Sequence, residues 1–194
     1  MSDGAPPRRV LLLGGARSGK SLAAETMAAR ASLLTGGGPV TYVATAEVRP
    51  DDPDWAARIS AHRDRRPPTW HTVETADPAP ALAGGGVVLV DCMALWLTRA
   101  MDDAGAWDDG AWATTAPADL AERVNALITA WAESPGTVIA VSNEVGMGVV
   151  PATSAGRRFR DELGRLNVRL AAAADEVYLV VAGRLLPLAD AAEG

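Results

Sequence analysis

One stretch near the N-terminus has residue types and spacing that suit phosphate binding. Residues 10–21 run as an apolar segment, a glycine pair and then Gly19-Lys20-Ser21, and from Gly14 they fit the pattern G-x-x-x-x-G-K-[ST]. In such a loop, glycines let the backbone curl until successive N–H groups point at phosphate oxygens, and the following helix offers its positive end. Lys20 would neutralise charge on the β- and γ-phosphates. The predicted phosphate-binding residues are Gly14, Gly15, Ala16, Arg17, Ser18, Gly19, Lys20 and Ser21.

A carboxylate that could serve this loop follows a second apolar run. Asp91 ends the segment 87–91, and an acid at the end of a parallel strand can reach a metal ion or its waters. The Ser21 hydroxyl is the other group expected to hold Mg²⁺, so Ser21 and Asp91 are the candidate metal ligands. An alternative role for Asp91 is to cap the helix predicted to begin at Met93.

The chain has two histidines, His62 and His71, and any histidine chemistry must use one of them. His62 precedes a cluster of arginines at 63, 65 and 66, a positive setting that would attract phosphates and favour a neutral imidazole. His71 lies in a strand-like segment and is interpreted as a surface residue. The residues alone leave two interpretations of His62 open, a catalytic imidazole or a structural helix residue, and the arginines could equally form a solvated turn.

Composition places the chain among globular proteins. It has 194 residues, of which 48% are hydrophobic and 22% charged, which favours a single domain spanning 1–194. The net charge of -6 argues against a nucleic-acid partner, and no apolar run approaches the length that spans a bilayer. The single cysteine, Cys92, cannot form an internal disulfide and is interpreted as a small buried hydrophobe in a cytoplasmic protein.

Apolar, β-branched runs alternate with helical patterns along the chain. Strands are predicted at 10–13, 40–45, 69–74, 87–91, 137–142 and 177–181, with an edge strand at 185–186 that Pro187 would limit. Helices are predicted at 22–34, from about 51 to 66, and at 93–101, 120–131 and 154–174, with a loop or short surface helix within 102–118. This alternation predicts an α/β fold with a mostly parallel central sheet, helices on both faces, and ligands at the carboxyl ends of the strands.

Blocks distributed along almost the whole chain resemble those of a known enzyme family. They include GGARSGKS at 14–21, YVATA at 42–46, the arginine and histidine segment at 58–67, VDC at 90–92, NEVGMGVVP at 143–151, and residues 157–167 and 171–177. The block at 143–151 is the most specific of them, because many unrelated enzymes share the phosphate loop. Together they resemble the bifunctional adenosylcobinamide kinase and adenosylcobinamide-phosphate guanylyltransferase family of cobalamin synthesis.

This resemblance implies a RecA-like P-loop NTPase in which one site performs two reactions, and it implies a homotrimer. In the first reaction, ATP or GTP with Mg²⁺ phosphorylates the hydroxyl of the aminopropanol arm of adenosylcobinamide. In the second, a histidine takes the guanylyl group of GTP and passes it to adenosylcobinamide phosphate, giving adenosylcobinamide-GDP. The residue that matches the guanylylated histidine is His62. The resemblance further implies nucleotide contacts at Ala44, Thr45, Ala46, Arg63, Asp64, Arg65, Arg66, Glu74 and Asp91.

Two other functions fit the same motifs. One is a P-loop kinase that phosphorylates a small molecule without any guanylyl transfer, and the other is a RecA-like protein that binds nucleotide as a switch. A covalent label from GTP that depends on His62 would separate guanylyl transfer from both alternatives. For guanine recognition, Glu74 and Asp91 remain equal candidates, since either carboxylate could accept hydrogen bonds from the N–H groups of the base.

Overall fold

The computed structural model describes residues 6–46, 57, 59–60 and 63–189. Their strands are β1 (Arg9–Gly14), β2 (Val40–Ala44), β3 (His71–Glu74), β4 (Val87–Asp91), β5 (Thr137–Asn143), β6 (Glu176–Val181) and β7 (Arg184–Leu188). These strands form a seven-stranded sheet in the order β3-β2-β4-β5-β1-β6-β7. All pairs are parallel except β6 with β7. The predicted α/β fold with a mostly parallel sheet is confirmed.

Helices cover both faces of this sheet. They are α1 (Lys20–Leu34), α2 (Ala79–Ala83), α3 (Met93–Asp103), α4 (Asp109–Trp112), α5 (Ala116–Glu133) and α6 (Ser154–Ala172), and residues 57, 59–60 and 63–64 are also helical. The crossover from β1 to β2 moves along the sheet in the opposite direction to those from β4 to β5 and from β5 to β6. Because parallel crossovers are right-handed, α1 lies on one face and α3, α5 and α6 lie on the other. The packing agrees, since α1 contacts β4 and β5 whereas α3, α5 and α6 contact one another.

The central strands are buried on both faces. Leu11 and Leu12 of β1 and Val88 and Val90 of β4 have no exposed surface. Continuous apolar runs of this kind are typical of parallel strands that have helices packed on either side. Leu120, Val124, Leu127 and Trp131 of α5 are also buried, and their helical spacing makes them the face that α5 turns toward the core.

Six parallel strands, β1 to β6, end at the same edge of the sheet. Their pairing aligns Glu74, Ala44 and Asp91 across β3, β2 and β4, and it aligns Gly14 with Asn143 across β1 and β5. With strands about 4.8 Å apart, the backbones of Glu74 and Asp91 lie roughly 10 Å from each other. This carboxyl edge therefore places acids at one end and the phosphate loop at the other, as the fold predicts for a ligand site.

Two segments differ from what their sequences predict: β7 is longer, and residues 102–118 are more buried. β7 continues through Pro187 to Leu188, because an edge strand does not need the proline to donate a hydrogen bond on its outer side. Within 102–118, α4 is the short helix expected there, but Ala106 and Ala116 on either side of it are fully buried. This segment is therefore partly core, and its small alanines are what permit close packing.

Among the described residues, no helix is both long enough and apolar enough to cross a membrane. The cytoplasmic location expected from the sequence stays a prediction. The assignment of the whole of 1–194 to one domain also stays a prediction, because part of the chain lies outside the described residues.

Candidate active site

The predicted phosphate loop forms a tight connection between β1 and α1. Ser18 N–H donates to Gly15 O at 3.3 Å, and the Lys20 ammonium folds back to donate to the same carbonyl at 2.9 Å. Arg17 and Gly19 have φ values of 57° and 95°, which curl the backbone. Gly19 is the N-cap of α1, and no side chain in the described structure caps it. No capping group therefore competes with an anion for the first N–H groups of the helix.

Glycine is needed at two positions of this loop because other backbone lies close by. A Cβ on Gly14 would lie 2.7 Å from both Ser18 Oγ and Val180 O. A Cβ on Gly19 would lie 3.0 Å from the Cα of Gly183, whose N–H donates to Ser18 O at 2.8 Å. The turn between β6 and β7 therefore packs directly against the phosphate loop and holds its shape.

A cavity of ≈ 210 Å³ opens beside the loop at the carboxyl edge of the sheet. The predicted site residues that line it are Lys20, Ser21, Ala44, Ala46, Arg63, Arg66, Glu74 and Asp91. The other described residues that line it are Tyr42, Ile59, Cys92, Leu95 and Asn143. Cations from α1 and from the arginine segment thus meet acids from β3 and β4 in one concave space, an arrangement suited to a polyphosphate with bound metal.

Asp91 is held in place by a tyrosine. Tyr42 O–H donates to Asp91 Oδ2 at 2.8 Å, and the Arg66 guanidinium carbon lies 3.6 Å from the centroid of the Tyr42 ring. Burial, and then the charge of Asp91, raise the pKa of the Tyr42 hydroxyl, so it remains a hydrogen-bond donor well above neutral pH. The N-cap of α3 is Cys92, without a side-chain hydrogen bond. The alternative role of Asp91 as that helix's cap is therefore wrong.

The arginine segment, residues 63–66, is tied to two different elements. Arg63 forms an ion pair with Glu74 at the end of β3. Arg65 makes a forked contact with Glu25 of α1, with Nε to Oε2 at 3.3 Å and Nη2 to Oε1 at 3.1 Å. That hydrogen bond raises the pKa of Arg65. Residues 63–65 are exposed, as a solvated turn would be, but the Arg63 and Arg65 guanidinium groups also tie this segment to β3 and α1.

Thr45 fixes the backbone that follows β4. Its hydroxyl accepts from Cys92 N–H at 3.0 Å and donates to Cys92 O at 2.8 Å, and its own N–H donates to Asp91 O at 3.3 Å. Cys92 is buried, which raises the pKa of its thiol to about 12. The interpretation of Cys92 as a small buried hydrophobe is therefore confirmed, and Thr45 positions the acid beside it.

The two predicted Mg²⁺ ligands, Ser21 and Asp91, line the same cavity. Among the described residues, no group of three or more His, Cys, Asp or Glu side chains is placed to hold a metal by itself. Mg²⁺ at nucleotide sites is usually bound through one or two protein oxygens, with phosphates and waters completing its shell. A single carboxylate and a single hydroxyl therefore fit this ion when it arrives with a nucleotide.

The chain matches one known family over most of its length. The model of the family described as "Cobinamide kinase / cobinamide phosphate guanyltransferase" matches residues 10–188. This span includes the phosphate loop, the arginine segment and every residue that lines the cavity. The chain belongs to this family. The resemblance drawn from the sequence blocks is confirmed.

Curated relatives agree with membership in the cobinamide kinase family. The chain is 41% identical to the bifunctional adenosylcobalamin biosynthesis protein CobU of Salmonella typhimurium, over 90% of this chain and 96% of that protein. It is 40% identical to the protein of the same type named CobP in Pseudomonas aeruginosa, over 93% and 96%. It is also 40% identical to CobU of Escherichia coli, over 90% and 96%. The overlap is nearly complete in both directions for each pair.

For this member of the cobinamide kinase family, some predicted contacts do not line the cavity. Asp64 is exposed, Arg65 pairs with Glu25, and residues 14–19 adjoin the cavity without lining it. His62 lies outside the described residues, although Arg63, the next residue in the chain, lines the cavity. His71 is exposed, as its sequence context predicts. The nucleotide roles of all these residues stay predictions.

Sequence reasoning missed two polar residues of the cavity, Tyr42 and Asn143. Tyr42 lies two positions before Ala44 on β2, and residues i and i+2 of a strand share a face, so its place was available from the strand pattern. Asn143 ends β5 as Asp91 ends β4, and the same rule would have identified it. Its carbonyl accepts from the buried Asn167 amide at 3.1 Å, which fixes the end of β5.

Proposed function

We propose that this chain is a bifunctional enzyme of cobalamin biosynthesis that performs two reactions at one site. It phosphorylates adenosylcobinamide with ATP or GTP, and it then transfers GMP from GTP to adenosylcobinamide phosphate, giving adenosylcobinamide-GDP. The observation that carries this proposal is the shared cavity, in which Lys20 and Ser21 of the phosphate loop meet Arg63, Glu74 and Asp91. Membership in the cobinamide kinase family and the near-complete overlap with bifunctional relatives support it.

In the kinase step, the phosphate loop stabilises charge on the phosphoryl group that is transferred. The hydroxyl oxygen of the substrate attacks the γ-phosphorus and its proton is released to solvent, while the bond between that phosphorus and the β–γ bridging oxygen breaks and the nucleoside diphosphate leaves. Lys20 is a buried residue, 7% exposed, so the charge of its ammonium is poorly screened by water. Loop amides and the uncapped start of α1 add donors that are already oriented, which is how such sites lower the barrier. Bound Mg²⁺ would supply further charge neutralisation, with Ser21 and Asp91 as its protein ligands.

In the guanylyl-transfer step, His62 is the nucleophile. One of its imidazole nitrogens attacks the α-phosphorus of GTP, the bond to the bridging oxygen breaks, and pyrophosphate leaves. An oxygen of adenosylcobinamide phosphate then attacks the same phosphorus, the P–N bond breaks, and the free imidazole returns. A neutral imidazole is available for this near neutral pH, and its phosphoramidate is reactive enough to pass the nucleotide on. Arg63 follows His62 in the chain and lines the cavity, which supports the proposal that His62 acts near the α-phosphate.

The strand order suggests how the nucleotide lies. From the phosphate loop after β1, the carboxyl edge runs past Asn143 and Asp91 to Glu74, which ends β3 four strands away. A triphosphate bound to the loop would therefore reach Asp91 through its phosphates and Glu74 through its base. Glu74 is the acid we assign to the guanine N–H groups, and Asp91 is the acid we assign to the metal. Exchange of Glu74→Gln should reduce the preference for GTP over ATP in the transfer step.

Labelled GTP tests the proposed chemistry. The enzyme incubated with GTP labelled at the α-phosphate should acquire a covalent label that is acid-labile and base-stable, whereas γ-labelled GTP should leave none. His62→Ala should abolish the label but retain phosphorylation of adenosylcobinamide, and His71→Ala, the matched control, should keep both activities. A wild-type protein that phosphorylates adenosylcobinamide yet never acquires the α-label would restrict the function to a kinase.

We further propose that the chain assembles as a homo-oligomer, with a trimer as the state that the family resemblance implies. β7 is an edge strand whose five residues are all exposed, and three of them are leucines, at 185, 186 and 188. An apolar edge strand of this kind usually pairs with, or is covered by, another chain. Sedimentation velocity should find a trimer that Leu186→Glu weakens, and a wild-type monomer at micromolar concentration would contradict the assembly.

A further inference from the structure

The connection between β5 and α6, residues 144–153, exposes apolar side chains next to the candidate active site. Met147 is 81% exposed, Val149 is 95% exposed and Val150 is 59% exposed. Exposed apolar residues that occur singly need no explanation, but three within four positions of one loop form a patch that water solvates poorly. Such a patch beside a ligand site is a candidate binding surface.

The β5–α6 connection is anchored at both ends. At its start, Glu144 N–H donates to Gly14 O at 3.0 Å, and Gly146 N–H donates to the Glu144 carboxylate at 2.6 Å. At its end, Arg157 Nη1 donates to Pro151 O at 3.0 Å and to Ala152 O at 2.9 Å. The intervening apolar side chains are therefore presented outward by a loop that is fixed to the phosphate loop.

The size of the cavity limits which part of a cobinamide can enter it. The described residues line a cavity of ≈ 210 Å³, which is much smaller than a corrin macrocycle with its amide arms. Only the slender aminopropanol arm of a cobinamide can enter, so the ring must rest on the surface outside the cavity mouth. Met147 is three residues after Glu144, which is bonded to the phosphate loop, and so at most about 11 Å of chain separate them.

We propose that Met147, Val149 and Val150 form the surface on which the apolar, methyl-bearing face of the corrin ring rests while its arm reaches the γ-phosphate. This assignment depends on the proposed function, because it needs a corrinoid substrate. Methionine suits such a role, since its flexible and polarisable thioether adapts to irregular shapes. The β5–α6 connection thus binds the large substrate, and the cavity binds the nucleotide.

A double substitution that keeps side-chain size tests this assignment. Met147→Gln with Val149→Thr should raise the KM for adenosylcobinamide in the kinase reaction about tenfold, the loss expected from weaker apolar contact. The KM for ATP and the binding of GTP in the absence of corrinoid should stay unchanged. The matched control is Leu33→Gln with Val168→Thr, two positions that are 76% and 69% exposed. Both lie roughly 20 Å along α1 or α6 from the active-site end of their helices, so this variant should behave as wild type.

The outcomes separate this assignment from the proposed function. If wild type phosphorylates adenosylcobinamide and the double variant has the same KM for it, the corrin surface lies elsewhere although the proposed function stands. If wild type shows no corrinoid-dependent phosphoryl transfer, both are overturned. If the double variant changes oligomeric state by sedimentation velocity, the patch is an interface between copies of the chain, and the corrin assignment fails.

Discussion

The two sides of the cavity are built in different ways. On the phosphate-loop side, Lys20 and Ser21 line the cavity and belong to one uninterrupted piece of chain, residues 14–21, with internal contacts such as that of Lys20 Nζ to Gly15 O. The acid–arginine side consists of Tyr42, Arg63, Arg66, Glu74 and Asp91, which come from four separate segments. They meet because β3, β2 and β4 are neighbours in the sheet.

This difference shows which parts of a site can be predicted from consecutive residues and which depend on the order of the strands. A binding surface made of consecutive residues carries its own geometry, so its sequence pattern can be recognised without knowing the fold. A surface assembled from several strands depends on strand order and register, such as the alignment of Glu74, Ala44 and Asp91. Substitutions on the phosphate-loop side should therefore act on phosphate binding directly, whereas a substitution of Tyr42 on the acid–arginine side should act through its neighbour Asp91.

The largest effect is expected from Lys20→Met on the phosphate-loop side. This variant keeps the length of the side chain but removes the ammonium, so kcat for the kinase reaction should fall about 10²- to 10³-fold. Guanylyl transfer should fall as well, because both reactions use the same triphosphate site. Circular dichroism and thermal unfolding check that the fold is retained. Full kinase activity in a folded Lys20→Met protein would show that the loop is not the catalytic phosphate site.

Gly19→Ala tests whether the shape of the loop is as strict as its contacts suggest. Gly19 has a φ of 95°, and a Cβ there would lie 3.0 Å from Gly183 Cα. The free energy of unfolding should therefore fall by about 1–3 kcal/mol, measured by urea denaturation. Gly15→Ala is the matched control for stability, because a Cβ at that position would meet no described atom within 4 Å. Equal stability of the two variants would argue against strain at Gly19.

Tyr42→Phe tests the acid–arginine side through a single hydrogen bond. The variant leaves Asp91 without its tyrosine donor, so the free energy of unfolding should fall by about 1.5 kcal/mol. The Mg²⁺ concentration for half-maximal kinase activity should rise, since the carboxylate is no longer held in one orientation. Tyr178→Phe is the control, because that hydroxyl contacts Glu176 and does not line the cavity. An unchanged Mg²⁺ requirement in Tyr42→Phe would show that the tyrosine hydrogen bond does not orient Asp91 for the metal.

The smallest expected effect concerns the pH dependence of stability near Asp91. Burial raises the pKa of Cys92 to about 12, from an ordinary value of 9.0. Between these values the folded state keeps a proton that the unfolded state has released, so stability falls as pH rises above about 9. By about pH 10 the loss should be about 1 kcal/mol, and Cys92→Ala should lack this component. Rapid alkylation of the native thiol by iodoacetamide at about pH 8.5 would contradict the burial of this side chain.

The sequence predicted the elements well because their signals are local. An apolar run predicted β4 at Val87–Asp91. The acid directly after its four apolar residues predicted that Asp91 lies at the carboxyl end of the strand. The C-terminal ends of α1 and α5 were also close, since glycines and prolines end those runs, but α5 begins at Ala116 instead of 120, and α2 was not predicted. The general α/β fold followed from the alternation of strands and helices, which requires no knowledge of any particular contact.

Partners across the fold could not be predicted, because they depend on strand order. Nothing local to Tyr42 indicates that its hydroxyl binds Asp91, which lies 49 residues away in the chain. The forked contact of Arg65 with Glu25 likewise joins residues 40 positions apart. The Glu144 carboxylate accepts from Gly146 N–H within its own loop, a contact that the sequence did not predict either. Strand order therefore supplies the contacts that the amino-acid pattern leaves undetermined.

A crystal structure with Mg²⁺ and a non-hydrolysable GTP analogue tests the central claim most directly, which is that one cavity serves both reactions. It should place the β- and γ-phosphates on the amides of residues 14–21 with Lys20 beside them. An imidazole nitrogen of His62 should lie within about 3–3.5 Å of the α-phosphorus, in line with the bond to be broken. A triphosphate seated in the loop with His62 pointing into solvent, and no rearrangement on adding adenosylcobinamide phosphate, would contradict guanylyl transfer at this site.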